Sequence, residues 1–298
     1  MPRILLTGGT GFIGRHLTQA LLAVPDVELT LLVQEKYGMG TPLPAALAPL
    51  RPQLHLVYAD LRTFNLTVRA VKEAAPEIVI HLAAQGATDP FMPVDLAIRH
   101  NLTGTLNLLR ASFEKSFTAT RFITARTTGE LTAMNSYAAS KAAAWQFCRM
   151  YTLTQQWPIT GAMIFQCFGP GQPERALIPA AIHAARAGQD FPMTAGTQKR
   201  DFIYVDDVVA GLQAMTTAET LPVGDTLDLG TGIGTSLADV VTQIYALVGQ
   251  GGRPLLGTLP TRPGERPQPL ADVGRTQQFI DWRPEHPLKN GLSKMLLG

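Results

Sequence analysis

The chain of 298 residues contains only two cysteines, Cys148 and Cys167, and they lack the spacing of metal sites or redox pairs. We therefore expect free thiols in a reducing compartment rather than a disulfide framework. The six histidines show no paired ligand spacing, so we predict no metal site. The 25 basic and 23 acidic residues nearly balance and form no basic cluster, so neither nucleic acid nor an acidic membrane is expected as a partner.

Long apolar runs are also missing from the chain. No stretch is long enough to span a membrane, and the sequence enters a strand pattern directly, without a signal-like leader. We therefore expect a cytoplasmic protein. The hydrophobic content of 46% is nevertheless high enough for one large α/β domain or two unequal lobes.

A glycine-rich turn follows the apolar run Ile4–Leu6, and an amphipathic helix pattern begins directly after it. The first glycine would permit a tight turn, the second would let the backbone approach a pyrophosphate, and the third would let helix and strand pack closely. The positive end of the helix would face the phosphates. The alternative is an ordinary strand-to-helix turn, but this context favours a dinucleotide site. The residues predicted to contact the cofactor here are Gly8, Gly11, Phe12, Ile13 and Gly14.

Strand patterns alternate with helical patterns over the first 165 residues, and the strands are almost wholly apolar. Such strands are typical of a parallel sheet with helices on both faces. We therefore predict an α/β fold, a Rossmann doubly wound parallel sheet with a smaller C-terminal α/β substrate-binding lobe. The Rossmann domain is placed at residues 1–165, rejoined by about 201–235, and the lobe at 166–200 and 236–298.

Tyr137 and Lys141 form a second pattern with chemical meaning, because residues four apart lie on one face of a helix. A free tyrosine has a pKa of about 10, and a nearby ammonium favours the phenolate. The pair could pass a proton to or from a sugar hydroxyl while a nicotinamide carries the hydride. Lys141 could also hold the cofactor ribose. The alternative is a solvated helix face, since this spacing is common by chance.

Because these motifs follow one another along the chain in the family's order, the chain resembles the extended short-chain dehydrogenase/reductase family. Within that family it resembles the branch of nucleotide-sugar epimerases, dehydratases and ketoreductases. The resemblance covers nearly the whole chain. Besides the glycine turn and the Tyr137–Lys141 pair, it depends on Asp60-Leu-Arg62, His81-Leu-Ala-Ala84, Asn101 to Asn107, Phe168-Gly-Pro-Gly171, Arg200 to Asp207, Arg262-Pro-Gly-Glu265 and Ala271-Asp272.

On the cofactor side, the resemblance implies contacts along the whole dinucleotide. Asp60 and Leu61 would lie at the adenine, and Ala83 and Ala84 along the cofactor. Asn101 would support the active-site helix. These roles are carried over from the matching motifs and do not follow from spacing alone.

The end of the second strand departs from the family pattern. Gln34 stands where members that prefer NAD usually carry an Asp that binds the ribose hydroxyls. Glu35 could substitute for that Asp, or Lys36 could meet a 2′-phosphate. The cofactor is therefore expected to be NADP or NAD, with a lean to NADP.

On the substrate side, Thr127 matches the Ser or Thr that hydrogen-bonds the reacting sugar oxygen. Arg200 and Arg262 match arginines that grip the substrate pyrophosphate, a role suited to a planar guanidinium. The alternative for each arginine is a solvated surface charge. Gln85 and Gln166 are also predicted to bind substrate, although Gln166 stands where the family usually has Asn.

The loop after the fifth strand lacks the Thr-Asp-Glu trio of 4,6-dehydratases, which supplies an acid and a base for water elimination. Glu130 lies one position away from the place of the trio's Glu. Arg126 occupies a position where the family commonly has a small residue. Only nine residues separate Thr127 from Tyr137, so a loop that usually walls the sugar site is trimmed.

These observations favour an NDP-4-keto-6-deoxyhexose 4-ketoreductase in which Tyr137 donates the proton. The close alternative is an NDP-sugar 4-epimerase that retains NAD. A 4,6-dehydratase, a reductase of a non-nucleotide carbonyl and a non-catalytic dinucleotide-binding protein rank below these. The expected partner is a nucleoside-diphosphate sugar, and the resemblance also implies a homodimer.

Overall fold

The computed structural model describes residues 2–87, 89, 91–116, 118–260 and 268–297. The chain forms two compact units, unit 1 with Met1–Met163 and Leu212–Leu227, and unit 2 with Ile164–Gly211 and Asp228–Gly298. The chain therefore leaves unit 1 after Met163, returns to it for the short segment Leu212–Leu227, and then leaves it again.

The strands alternate with helices in chain order. The strands are β1 (Arg3–Thr7), β2 (Glu28–Val33), β3 (His55–Tyr58), β4 (Ile78–His81), β5 (Arg121–Thr127), β6 (Ile159–Ile164), β7 (Gln166–Phe168), β8 (Phe191–Pro192), β9 (Lys199–Tyr204), β10 (Thr226–Leu229), β11 (Gly234–Ser236) and β12 (Pro254–Leu255). The α-helices are α1 (Phe12–Leu22), α2 (Phe64–Ala74), α3 (Val94–Ala97), α4 (Gly104–Arg110), α5 (Ser136–Gln155), α6 (Leu177–Arg186), α7 (Val205–Thr217), α8 (Leu237–Val248), α9 (Val273–Thr276) and α10 (Leu288–Leu297).

Shorter helical segments connect several of these elements. The 3₁₀ helices are Glu35–Gly38, Ala48–Gln53 and Thr128–Leu131. The π-helical segments Ile98–Thr103 and Ala111–Ser116 flank α4, so residues 94–116 form one continuous helical stretch.

The predicted Rossmann sheet is confirmed. Its seven strands have the order β10-β6-β5-β4-β1-β2-β3, and β1 pairs in parallel with both β2 and β4. The order 3-2-1-4-5-6 is that of doubly wound dinucleotide-binding sheets, whose ligands bind outside the carboxyl ends of the strands where the order reverses. In this sheet the reversal lies between β1 and β4.

Apolar strands and one-sided helices explain why unit 1 folds in this way. β4 is buried along its whole length, as expected for a strand covered on both faces. α2 buries Thr67, Ala70, Val71 and Ala74, which recur at helical spacing on one side. Val71 packs in one core cluster with Leu5 of β1 and Leu108 of α4, and this burial holds the helices against the sheet.

Arg121 of β5 ties the end of α7 to the sheet within unit 1. Its guanidinium donates to the carbonyl oxygens of Met215 at 2.9 Å, Thr216 at 2.7 Å and Ala218 at 2.6 Å. These acceptors lie at the helix C-terminus, where carbonyl groups lack partners within the helix. The short return segment is therefore held by charge-assisted hydrogen bonds as well as by apolar packing.

Unit 2 is organised around β9, which pairs in parallel with β7 and antiparallel with β11. Asp201, buried on β9, accepts hydrogen bonds from the backbone N–H groups of Thr231, Gly232 and Ala271 at 2.8, 2.8 and 3.1 Å. One carboxylate thus fixes two loops of this unit, because each buried N–H finds its acceptor there.

Candidate functional site

The glycine turn after β1 is packed too tightly for side chains at two positions. Gly8 has a φ of +75°, and a Cβ there would lie 2.6 Å from the backbone nitrogen of Ala83. A Cβ on Gly14 would overlap the carbonyl oxygen of Gly8. Gly11 is less confined and donates its N–H to Gly8 O at 2.9 Å. The roles predicted for the first and third glycines thus match close backbone contacts.

A cavity of about 300 Å³ lies against this turn, at the carboxyl ends of β1, β2 and β4. This is the place where the strand order of the sheet reverses. The predicted site residues that line it are Gly8, Gly11, Gln34, Lys36, Asp60, Leu61, Ala83, Ala84 and Gln85.

Other predicted cofactor residues lie outside the lining of that cavity. Phe12, Ile13 and Gly14 form the first turn of α1. Glu35 begins the 3₁₀ helix after β2 and is exposed. All three residues are exposed, but only Gln34 and Lys36 line the cavity, whereas Glu35, the proposed substitute for the missing Asp, does not.

The N-terminus of α1 suits an anionic ligand. Gly11 is its N-cap, and among the described residues no side chain caps this end and no acidic residue lies in the first turn. The first N–H groups of a helix have no partners within the helix, and the helix dipole adds positive potential there. Together with the close glycine packing, this arrangement fits the pyrophosphate of a dinucleotide.

Asp60 and Arg62 form a fixed pair at the cavity wall. The Nε atom of Arg62 lies 2.9 Å from both carboxylate oxygens of Asp60, and the Arg62 backbone N–H donates to Oδ1 at 2.9 Å. The hydrogen bonds from Arg62 hold the pKa of Asp60 below its usual value. Asp60 therefore presents a carboxylate that is already neutralised by its neighbour.

Helix α5 carries the predicted proton-transfer pair. It begins at Ser136, and the Asn135 side chain caps it by accepting from the Ala138 N–H at 2.9 Å. Lys141 is buried, its Nζ donates to Ala125 O at 2.6 Å, and burial lowers its pKa. Lys141 is thus tied to the strand that ends at Thr127.

We expected Lys141 to lower the pKa of the Tyr137 phenol. This expectation is wrong as far as the protein's own groups are concerned. Burial, followed by the charge of Glu130, raises the pKa of Tyr137 to about 12. The lysine is already engaged by a backbone carbonyl, whereas a carboxylate acts on the phenol. At neutral pH the Tyr137 hydroxyl is therefore protonated.

Thr127 ends β5 and caps the 3₁₀ helix Thr128–Leu131. Its Oγ1 accepts from the Gly129 N–H at 3.4 Å, while Glu130 Oε1 accepts from the Thr127 N–H at 3.0 Å. This reciprocal pattern is a capping box. Glu130 Oε2 also accepts from Arg126 Nε at 2.9 Å. Arg126 and Glu130, which both depart from the family pattern, therefore form an ion pair. Their opposite charges, four positions apart in the sequence, are a signal that could have predicted it.

Asn101 connects the loop after β4 with α5. Its Oδ1 accepts from the Gln85 N–H at 2.8 Å, and its Nδ2 donates to Gln85 O at 2.9 Å and to Ser140 Oγ at 3.0 Å. It is buried, so these bonds satisfy its whole amide group. Asn101 thus contacts α5 but does not line the cavity.

His81 is a framework residue at the end of β4. Thr105 Oγ1 donates to Asn101 O at 2.6 Å, so His81 Nε2–H donates to Thr105 and His81 Nδ1 accepts from Thr7 at 2.7 Å. Burial lowers the pKa of His81 to about 3. The ring therefore stays neutral and joins β1, β4 and α4.

This lowered pKa predicts a pH dependence of stability. Because His81 titrates at about 6.5 when unfolded and at about 3 when folded, its contribution is present above about pH 6.5 and is lost as the pH falls. We expect the free energy of unfolding to decrease by about 1.4 kcal/mol per pH unit between that value and about pH 3, where the folded ring is protonated as well. Urea unfolding of wild type and His81→Gln over this pH range should show a smaller decrease in the variant, and an equal decrease in both proteins would contradict the prediction.

Two of the residues predicted to bind substrate lie in unit 2, at a second cavity of about 150 Å³. Gln166 and Arg200 line it, together with the apolar residues Phe168 and Phe202. Arg200 is buried and donates through Nη1 to Lys199 O at 2.9 Å. Arg262 lies outside the described residues.

Membrane-spanning helices and metal-binding clusters are both absent from the described part of the chain. No helix there has both the length and the hydropathy needed to cross a membrane. No group of three or more His, Cys, Asp or Glu residues there is arranged to hold a metal ion.

A family model described as the NAD dependent epimerase/dehydratase family matches residues 4–230. The chain belongs to this family. It is 27% identical over 311 residues to low-salt glycan biosynthesis protein Agl12 of Haloferax volcanii, covering 97% of this chain and 96% of that protein. It is 29% identical over 238 residues to GDP-6-deoxy-D-mannose reductase of Pseudomonas aeruginosa, covering 70% and 68%.

The fold is also that of a solved family structure. UDP-glucuronic acid 4-epimerase from Bacillus cereus, in complex with UDP-glucuronic acid and NAD, matches with a TM-score of 0.84 at 22% identity, covering 98% of this chain and 97% of that one. The resemblance drawn from the motifs, the Rossmann fold and the prediction of an NAD(P)-dependent enzyme of the short-chain dehydrogenase/reductase type are therefore confirmed.

Proposed function

We propose that this member of the family is an NADPH-dependent 4-ketoreductase of a nucleoside-diphosphate 4-keto-6-deoxyhexose. The observation that carries the proposal is the protonated phenol of Tyr137 at the start of α5, in the same unit as a turn suited to a dinucleotide. Reduction of a ketone requires a proton for the oxygen as well as a hydride for the carbon. A phenol that stays neutral at physiological pH is suited to supply that proton.

The predicted site residues then divide the work of the reduction. The nicotinamide, when bound, supplies the hydride to the carbonyl carbon. Tyr137 donates its hydroxyl proton to the carbonyl oxygen, and Thr127 orients that oxygen with a hydrogen bond. Lys141, four residues beyond Tyr137, holds the cofactor ribose. Its positive charge also stabilises the phenolate that forms when Tyr137 gives up its proton. Gln166, Arg200 and Arg262 bind the diphosphate of the substrate, and Gln85 contacts the sugar.

Elimination of water is disfavoured by the state of Glu130. A dehydratase needs an acid and a base at neighbouring sugar carbons. Glu130 is the carboxylate on the loop after β5, and both of its oxygens accept hydrogen bonds from Arg126 and Thr127. Its side chain is only 1% exposed. This carboxylate is therefore committed to the protein rather than to a substrate proton.

The choice of NADPH depends on the cavity wall after β2. Lys36 lines this wall beside Gln34, and the nearest carboxylate in the lining, Asp60, is paired with Arg62. We expect Lys36→Ala to raise the Kd for NADPH about tenfold through loss of a charge-assisted hydrogen bond to the 2′-phosphate. The Kd for NADH should stay constant. Fluorescence titration measures both, with exposed Lys72→Ala as the control.

The Gln34→Asp variant should show the opposite preference. Its carboxylate would repel a 2′-phosphate and accept the ribose hydroxyls of NADH. If Lys36→Ala binds both cofactors as wild type does, the assignment of NADPH is wrong, whereas the family assignment stands.

An NDP-sugar 4-epimerase is the second candidate, because the solved structure described above is a 4-epimerase and Tyr137, Lys141 and Thr127 would serve either reaction. The cofactor separates the two. We would denature the purified protein, identify any released dinucleotide, and titrate the stripped protein with NADH and NADPH. Exchangeable NADPH supports the reductase, whereas tightly retained NAD supports the epimerase. Absence of affinity for either would overturn the enzyme proposal.

A further inference from the structure

The side chain of Glu130 holds the backbone of Thr127, the residue that the proposed function assigns to the reacting oxygen. Glu130 Oε1 accepts from the Thr127 N–H at 3.0 Å, and Thr127 Oγ1 accepts from the Gly129 N–H at 3.4 Å. The two bonds form the capping box of the 3₁₀ helix after β5. They restrain the side-chain rotamer of Thr127 as well as its backbone, because one bond holds the nitrogen and the other holds the hydroxyl oxygen.

The capping box also determines which kind of partner the Thr127 hydroxyl takes next. A threonine hydroxyl has one proton to donate and two lone pairs that accept. The Gly129 N–H is a donor, so it uses a lone pair and leaves the proton of Thr127 to be donated. When a hydride reaches a carbonyl carbon, negative charge develops on the carbonyl oxygen, and a fixed hydroxyl donor stabilises that charge.

The Glu130 carboxylate that holds Thr127 is buried and paired with Arg126. The side chain of Glu130 is 1% exposed and that of Arg126 is 12% exposed, and Arg126 Nε donates to Glu130 Oε2 at 2.9 Å. A carboxylate is costly to remove from water unless hydrogen bonds and an opposite charge compensate it. Arg126 therefore allows an ionised acceptor to lie beside the Thr127 N–H.

The surroundings of Arg126 are shaped to receive it. Its Nη1 donates to Thr226 Oγ1 of β10 at 2.8 Å, and its guanidinium lies 4.4 Å from the ring centre of Trp145 on α5. A Cβ on Gly161 of β6 would lie 2.8 Å from Arg126 Cδ. Three neighbouring elements of unit 1 therefore leave space for this side chain, unlike the setting of a solvated surface pair.

The end of β5 is tied to α5, the helix that carries Tyr137. Ala125 O, two residues before Thr127, accepts from Lys141 Nζ at 2.6 Å. The strand is therefore fixed to α5 on one side of Thr127, and Glu130 fixes the turn on its other side. A donor held at both sides keeps a constant geometry, which is what catalysis by positioning requires.

We infer that Glu130, held by Arg126, is a positioning residue that directs the Thr127 hydroxyl toward the carbonyl oxygen that Tyr137 protonates. This inference rests on the proposed reductase function and adds to it the group that fixes one of its two donors. Glu130 touches neither substrate nor cofactor in this role. It acts on the reaction through Thr127, so its effect should vanish once the Thr127 hydroxyl is removed.

Two double variants that differ in the acceptor offered to the Thr127 N–H test this inference. Arg126→Met with Glu130→Gln removes the ion pair but keeps a side-chain oxygen of the kind that serves in capping boxes, whereas Arg126→Met with Glu130→Leu removes that oxygen. Neither leaves an unpaired buried charge. We expect kcat to be at least about tenfold lower with Glu130→Leu than with Glu130→Gln, since misplacing a catalytic group by about 1 Å can cost about 10²-fold. KM should agree within about twofold, because the lost interaction belongs to the transition state.

The same two double variants in a Thr127→Val background provide a readout that a merely structural role would not move. Valine keeps the branched shape of threonine but has no hydroxyl to direct. If Glu130 acts through Thr127, the forms with Glu130→Gln and Glu130→Leu then have the same kcat within about twofold, as expected of coupled residues. A general disturbance of the site would instead lower kcat by the same factor with and without the Thr127 hydroxyl.

Steady-state oxidation of NADPH measures kcat and KM, with the dTDP, UDP and GDP forms of a 4-keto-6-deoxyhexose tried in turn as substrate. Arg110→Met with Glu114→Gln, in a partly exposed ion pair of the same spacing, should keep the wild-type rate. If the variant with Glu130→Leu does not fold, Arg126→Met with Glu130→Ala takes its place, because the smaller side chain leaves room for a water at the Thr127 N–H.

The outcomes separate this inference from the function on which it rests. Equal kcat with Glu130→Gln and Glu130→Leu, or an equal loss in the Thr127→Val background, overturns the positioning role and leaves the reductase function standing. Reduction of none of the three substrates by wild type overturns the proposed function and, with it, the role given to Glu130.

Discussion

Replacement of Tyr137 by Phe is expected to lower the rate of carbonyl reduction by about 10²–10⁴-fold, the usual contribution of a positioned general acid. The change removes one oxygen atom and keeps the ring, so the packing at the start of α5 should persist. Tyr137 does not line the cavity predicted for the dinucleotide, so the Kd for NADPH should stay within about twofold of wild type. Single-turnover oxidation of NADPH measures the rate, and fluorescence titration measures the affinity.

A second tyrosine on the same helix provides the matched control. Tyr151 stacks on Trp157 with ring centres 4.2 Å apart, and it has a packing role. Tyr151→Phe should therefore retain the wild-type rate. If Tyr137→Phe reduces the substrate as fast as Tyr151→Phe does, Tyr137 is not the proton donor and the proposed mechanism is wrong.

Regular elements were predictable because local patterns determine them. The apolar run Ile4–Leu6 lies within β1, and the helix pattern predicted after the glycine turn is α1. In each case the apolar spacing along the chain agrees with the face that is buried. The glycine turn was predictable for the same reason, since its spacing encodes close contacts within a single strand–turn–helix unit.

Contacts between distant segments were not predictable in this way. The sequence placed a lysine one helical turn from Tyr137 and suggested a lowered pKa, but Lys141 donates to Ala125 O, sixteen residues earlier. The charge that acts on the phenol belongs to Glu130, on a loop whose conformation depends on a capping box and on Arg126. Electrostatic effects depend on which groups are buried together, and that follows from the packing of β5 against α5 rather than from spacing.

The Gly14→Ala variant is expected to lose dinucleotide binding. A methyl group there would overlap the carbonyl oxygen of Gly8 and approach the Gly9 Cα at 2.8 Å, so α1 must move away from the turn. Overpacking of this kind costs about 1–3 kcal/mol of stability. It also displaces the N–H groups that would face the pyrophosphate, so the Kd for NADPH should rise at least about tenfold.

Gly104→Ala is the control that separates close packing from a general effect of helix glycines. At Gly104 the nearest atom to an added Cβ is the Cβ of Leu61 at 3.4 Å, and the position lies within the helical stretch 94–116. This change should be neutral or should stabilise the protein by about 0.5–1 kcal/mol, because alanine favours a helix more than glycine does. Urea unfolding and NADPH titration of both variants provide the comparison. Since both changes add one methyl group to a helix, equal affinity for NADPH in the two variants would show that the close contact between Gly14 and Gly8 does not shape the cofactor site.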